Sequence, residues 1–192
     1  MNTYDILLKS STIPKNTPIS EFNLFMAKAE DYTLNPLRNE IFLLSKFTAG
    51  KGMSFFTCIG INGARKIAHQ TNEYEGSPEP LFDGVEMKDL KSSTPKTCKT
   101  VVFRKGQRYE YTVYFDEYCP VPITQMWIDK PLVMLAKVSE VMALRKAFPE
   151  LNGLYIEEEL DKLHDRASMM ESKRDKINKS INSGIDELIK KI

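Results

Sequence analysis

The segment from Pro131 to Phe148 constrains this chain more than any other. It is apolar almost all the way round, with Leu132, Val133, Met134, Leu135, Val138, Val141, Met142, Leu144 and Ala147. Pro131 suits a first helical turn, and Pro149 follows where a helix must stop, so the segment is expected to be one long helix. A helix with apolar residues on every side is buried over most of its surface. Other elements must therefore wrap around it. A chain of 192 residues has room for one such core and an appendage.

The best wrapping elements are strands. Tyr109, Tyr111, Val113 and Phe115 alternate with Glu110, Thr112 and Tyr114, the period-two pattern of a half-buried strand. Together with Thr100-Val101-Val102-Phe103 they flank Arg104-Lys105-Gly106-Gln107, which reads as a β-hairpin. A first hairpin is expected from residues 40–45 and 54–60, around the flexible Ala49-Gly50-Lys51-Gly52. The fold class expected is α+β: antiparallel β-hairpins packed against helices, with the long buried helix lining a groove and a charged C-terminal helix.

Thr17 is expected to cap a helix, with Pro18 at its first position, Phe22, Phe25, Met26 and Ala29 on its inner face, and an end near Asp31. Asn62 is expected to cap a second helix carrying Ala64, Ile67 and Ala68 inward. Residues 77–95 are rich in Pro, Asp, Ser and Lys and read as mostly loop, with a short strand near Val85. Three segments follow: a loosely packed arm over 1–16, a core over 17–156 and a helical, charged segment over 157–192. In the last, Ile177, Ile181, Ile185, Leu188 and Ile192 form a stripe at helical spacing.

Net charge is +1, with 42% hydrophobic and 28% charged residues, so any attraction to nucleic acid must be local. No run has membrane-spanning length, and Met1-Asn2-Thr3-Tyr4-Asp5 lacks the basic start of a secretory signal, so a cytoplasmic location is expected. Cys58, Cys98 and Cys119 are widely spaced and form no CxxC pair, which argues for reduced, mostly buried thiols. His69 and His164 have no ligand-spaced partner, and no metal or other cofactor is expected. Nothing matches GxxxxGK[ST], GxSxG or HExxH. Consecutive Glu157-Glu158-Glu159 point in different directions on a helix and read as a solvated acidic first turn.

Cations stand in three places. On the long helix, Lys130, Lys137, Arg145 and Phe148 fall within a stripe roughly 80° wide. Cations on a buried helix need counter-charge: either phosphates, or internal carboxylates such as Glu140 and Asp129. Arg65 and Lys66 stand in the first turns of the second helix. Arg104, Lys105 and Arg108 surround the hairpin tip, which is either a solvated turn or a clasp for a strand. The tyrosines of that hairpin, Phe115 and Trp127 are core residues or stacking faces for bases. Gly60-Ile61-Asn62-Gly63 has the GXXG form of KH domains, but its flanks do not make the KH helix pair.

Three short blocks carry a resemblance. Tyr32-Thr33-Leu34-Asn35-Pro36-Leu37-Arg38-Asn39-Glu40-Ile41-Phe42 comes first, then Gly60-Ile61-Asn62-Gly63-Ala64-Arg65-Lys66-Ile67-Ala68, then Tyr74-Glu75-Gly76. In order and spacing they resemble the Bet/Redβ branch of the RecT-like phage recombination proteins, over residues 22–160. The resemblance implies binding of single-stranded DNA and ATP-independent annealing of complementary strands in phage-type homologous recombination, with no bond chemistry. It favours DNA as the counter-charge for Arg65, Lys66, Arg104, Lys105, Arg108, Lys130, Lys137 and Arg145, with Phe148 beside them. Arg145 before Ala147-Phe148 matches best; Leu132 and Val133 depart from the basic residues of that branch. The resemblance also implies an annealed duplex intermediate, a homo-oligomeric ring or helical filament, a bacterial host cell, and a phage exonuclease and host single-strand-binding protein as partners. Larger relatives recruit these through a C-terminal domain. Two readings from other classes stand beside it: a metal-dependent nuclease and a non-catalytic oligomeric interaction module.

Overall fold

The computed structural model describes residues 3–48, 52–83 and 94–160. The chain divides into two compact units, Met1–Glu158 and Glu159–Ile192, and the description below concerns the first. The short strand expected near Val85, the charged C-terminal helix beyond Leu160 and its apolar stripe lie outside the described residues.

The fold is α+β, with antiparallel sheets packed against helices. Helix α1 (Thr3–Lys9) is followed by α2 (Ile19–Asp31). Strands β1 (Ile41–Thr48) and β2 (Gly52–Ile59) form a two-stranded hairpin in register from Ile41 opposite Ile59 to Thr48 opposite Gly52. Helix α3 (Ile61–Gln70) comes next. A four-stranded sheet is then built on β5 (Thr97–Arg104). One edge of β5 pairs with β6 (Gln107–Tyr114), and β3 (Tyr74–Gly76) and β4 (Leu81–Asp83) pair with it as well, all antiparallel. Short helices α4 (Phe115–Tyr118) and α5 (Gln125–Asp129) lead to α6 (Pro131–Ala147).

Helix α6 is the axis of the core, as its apolar surface requires. It packs on β5, β6 and α3. Leu135, Val138, Ala143 and Leu144 are fully buried, as are Cys98, Val102 and Val113 of the sheet. Ser139 is a fully buried polar residue within this contact. Its hydroxyl lies 3.1 Å from the Cys98 carbonyl oxygen and 3.2 Å from that of Tyr111, within reach to donate to either. A buried hydroxyl so placed is satisfied without water. The β5–β6 turn is two residues long, and both Lys105 (φ 51°) and Gly106 (φ 69°) are left-handed, as a tight type I′ hairpin demands.

Local expectations fail where a side chain finds a better partner. Thr17 does not cap α2. Its hydroxyl donates to the Pro14 carbonyl at 2.7 Å, and Pro18 takes the capping position without a side-chain bond. Gly60, not Asn62, precedes the first turn of α3. Phe115 leaves the strand and opens α4, packing edge-on against the buried Trp127 at 5.4 Å. The first sixteen residues, expected as a loose arm, carry α1 and bury Leu7 and Ile13 in the core. The Leu43 N–H donates to the Thr12 carbonyl, which ties this segment to β1.

Candidate nucleic-acid interface

The Leu-Asn-Pro block is a compact junction. The Asn35 side-chain oxygen accepts the Leu37 N–H at 2.9 Å and opens a single 3-10 turn over Pro36–Arg38. Asn39 (φ 55°) is left-handed and sends the chain into β1. Glu40, buried at that bend, closes the junction: its carboxylate accepts the Asn35 N–H at 2.7 Å and Lys66 Nζ at 2.8 Å. Burial alone would raise the Glu40 carboxyl, but Lys66, the Asn35 amide and Arg38 together hold it below its ordinary value of 4.5. The Glu40 carbonyl also accepts the Gly60 N–H at 3.1 Å. The first two motif blocks are thus locked together by one glutamate.

The third block sits on the same assembly. Tyr74 packs edge-on against His69 of α3 at 4.8 Å and against Phe148 at 5.9 Å. Burial and the nearby Glu140 raise the Tyr74 phenol, against the opposing effect of Arg65, so it stays protonated. The Glu75 carboxylate accepts the Gly106 N–H at the hairpin turn, at 2.9 and 3.0 Å to its two oxygens.

The cations meet carboxylates. Arg65 donates from Nε and Nη2 to the two oxygens of Glu140 on α6, at 2.6 and 2.7 Å, and that bidentate pair holds the guanidinium above its ordinary value. Lys66 is held by Glu40. Arg104 is the most enclosed of the hairpin group. It donates to Glu73, to Glu150 and to the Ala147 carbonyl, and stacks over the Phe148 ring at 4.7 Å. Lys105 reaches Glu73 at 2.5 Å and Arg108 reaches Glu110 at 2.8 Å, but these two side chains remain 67% and 58% exposed. Lys137 pairs with Glu158 at 2.7 Å. Glu158, expected on a solvated acidic turn, is buried and serves as that counter-charge. Lys130 is exposed and has no ion pair among the described residues.

Arg145 does not stand open. Its Nη2 donates to the Leu154 carbonyl at 2.7 Å, Nη1 approaches Met142 Sδ at 3.8 Å, and the guanidinium lies over the Tyr155 ring at 5.6 Å. Phe148 is fully buried between Arg104 and Tyr74, so it presents no face to a base. Of the aromatic candidates, Trp127 is core, while Tyr111 and Tyr114 are exposed on β6. The positions singled out in sequence therefore separate into two groups. Arg65, Lys66, Lys105, Arg108 and Lys130 reach the surface. Arg104, Lys137 and Arg145 fasten α6 to its surroundings. We expect Arg145→Ala to lower stability by about 1–3 kcal/mol, the usual worth of hydrogen bonds to a charged group; thermal or urea unfolding measures it. An unchanged midpoint would show that the Leu154 contact is not formed in solution.

Cys58 and Cys98 are buried and Cys119 is half-buried, and none of the three forms a disulfide among the described residues. Among the described residues no cluster of His, Cys, Asp or Glu has the arrangement of a metal site, and no helix is long and apolar enough to cross a membrane.

The RecT family model matches residues 7–176, a span that includes all three motif blocks, the hairpins and α6. The chain belongs to the RecT family. Membership implies single-strand annealing in phage-type recombination, and with it binding of single-stranded DNA. A search of curated proteins gives no match. In this RecT-family chain, the residues that carry the family pattern are those that lock β1, α3 and α6 together. Sequence reasoning did not anticipate the carboxylates opposite Arg65, Lys66 and Arg104; of the two counter-charges it named for the α6 cations, Glu140 serves Arg65 instead, and Asp129 accepts from Gln125.

Proposed function

We propose that this RecT-family protein anneals complementary DNA strands without ATP, in the cytoplasm of a bacterial host, by holding phosphate backbones while base edges test for pairing. The family match over residues 7–176 carries this reading. Annealing breaks no covalent bond, so what it needs is sequence-independent backbone contact. We assign that contact to Lys105, Arg108 and Lys130, which are exposed, and to the half-buried Lys66. Most of them already face a carboxylate, so a phosphate must displace or share that partner. Such exchange supports binding that is readily reversed, as strand exchange between partners demands. Many copies side by side, in a ring or filament, hold a strand in register better than a monomer does. A recombination exonuclease that supplies single strands, and a host single-strand-binding protein, fit as partners.

The hairpin tip gives the direct test. Lys105→Ala and Arg108→Ala should each weaken binding of unrelated single-stranded oligonucleotides, because phosphate contacts carry no base code. Each lost contact should lower the slope of log affinity against log salt by about 0.7. Stability should change little, since these side chains are exposed. Folded variants with unchanged affinity and slope would remove the tip from the interface.

A further inference from the structure

We infer that the cleft between α3, α6 and the 77–80 segment takes one nucleobase from the bound single strand; the inference rests on the single-strand reading above. The cleft is open to solvent and has a volume of about 400 Å³, within the range of small-ligand clefts. Its charge excludes a phosphate. Arg65 is already committed bidentately to Glu140, and Glu79 also lines the cleft, so an entering phosphate would meet two carboxylates against one neutralised guanidinium. A neutral group fits instead.

The lining also says what kind of neutral group. Pro78, Pro80 and Ala136 supply apolar surface. Thr100 lines the cleft too; it is 2% exposed, and apart from a weak approach to the Cys98 thiol its hydroxyl has no hydrogen-bond partner among the described residues. Buried hydroxyls are rarely left so. The Arg65–Glu140 pair occupies Nε and Nη2, which leaves Nη1 outside the pair as a further donor. A mostly polar lining interrupted by the apolar surface of Pro78, Pro80 and Ala136 suits a planar heterocycle that has donor and acceptor edges, and along a DNA strand that is a base. Proteins that bind single strands draw part of their affinity from such base contacts. A base seated here is withdrawn from pairing. Duplex bases are stacked and paired, so the cleft would favour single strands and empty as annealing proceeds.

The test compares two oligonucleotides of equal length on the full chain at fixed salt, one of thymidines and one with abasic residues throughout. Their phosphates are the same. The abasic strand should bind roughly tenfold more weakly with the same salt slope. Filling the cleft by Ala136→Leu should bring thymidine-strand affinity down to the abasic level and leave abasic affinity unchanged. Thr100→Val, which removes the hydroxyl at nearly constant volume, should narrow the gap in the same way if Ala136→Leu fails to fold. Equal affinity of the two strands for the unaltered protein overturns the inference and leaves the annealing function standing. So does wild-type discrimination in a folded cleft variant. Binding of neither strand would defeat the single-strand reading itself, and the cleft with it.

Discussion

Gly63→Ala is expected to destabilise the protein by about 3 kcal/mol, at the upper end of what overpacking costs. Gly63 lies on the buried side of α3, where the helix passes directly over the start of β1. A Cβ there would overlap the Glu40 carbonyl oxygen and approach both the Glu40 carbonyl carbon and Ile59 Cγ1 to 2.9 Å. The obstacle is backbone, and that backbone is pinned, because the same carbonyl accepts the Gly60 N–H. With total stabilities of about 5–15 kcal/mol for domains, such a loss leaves little margin. The control is Gly106→Ala, where an added Cβ meets nothing within 4 Å and only the left-handed φ of 69° is strained. That change should cost about 1–2 kcal/mol. Urea unfolding of both variants measures the contrast. A Gly63→Ala midpoint equal to wild type would mean that α3 does not seat against β1 at this distance.

Glu40→Ala should cost about 2 kcal/mol, less than a fully buried pair would because Lys66 is one-third exposed. It removes the acceptor of both the Asn35 N–H and Lys66 Nζ at one bend. The effect carries a pH signature. The folded Glu40 carboxyl lies below its ordinary value of 4.5, so its stabilisation is fully present above that value and is lost as pH falls through the lowered folded value. Glu40→Gln keeps the shape and loses the charge. The gap between wild type and Glu40→Gln should therefore be constant from neutral pH down to about 5 and close in more acid solution. A gap that stays constant through the acid range would show that the charge of Glu40 contributes nothing.

The elements visible in the sequence were those defined by periodicity alone. Helix α6 is legible because no face of it can be left in water, and β6 because its side chains alternate over a run with no glycine or proline. Caps were less legible. Thr17 has the right chemistry for an N-cap, but its hydroxyl finds the Pro14 carbonyl, and only the fold of the preceding turn decides between the two. The cations show the same limit more strongly. Arg65 and Glu140 lie 75 residues apart, and Arg104 and Glu150 lie 46 apart, so no local pattern joins them. Helical spacing puts Lys137 and Arg145 on one stripe of α6, but residues 154–158 cover that stripe through contacts that no local pattern encodes. Phe148 illustrates the reverse error: an aromatic beside basic residues looks like a stacking face, and here it is the floor beneath Arg104.

The central claim is that the protein pairs strands without cutting them. The direct measurement mixes the full chain with one labelled oligonucleotide and then its complement, without ATP, and follows both duplex formation and strand length, with and without Mg²⁺. The account predicts duplex formation well above the spontaneous rate and strands of unchanged length in both conditions. Duplex formation no faster than in buffer, or strands shortened when Mg²⁺ is added, would contradict it.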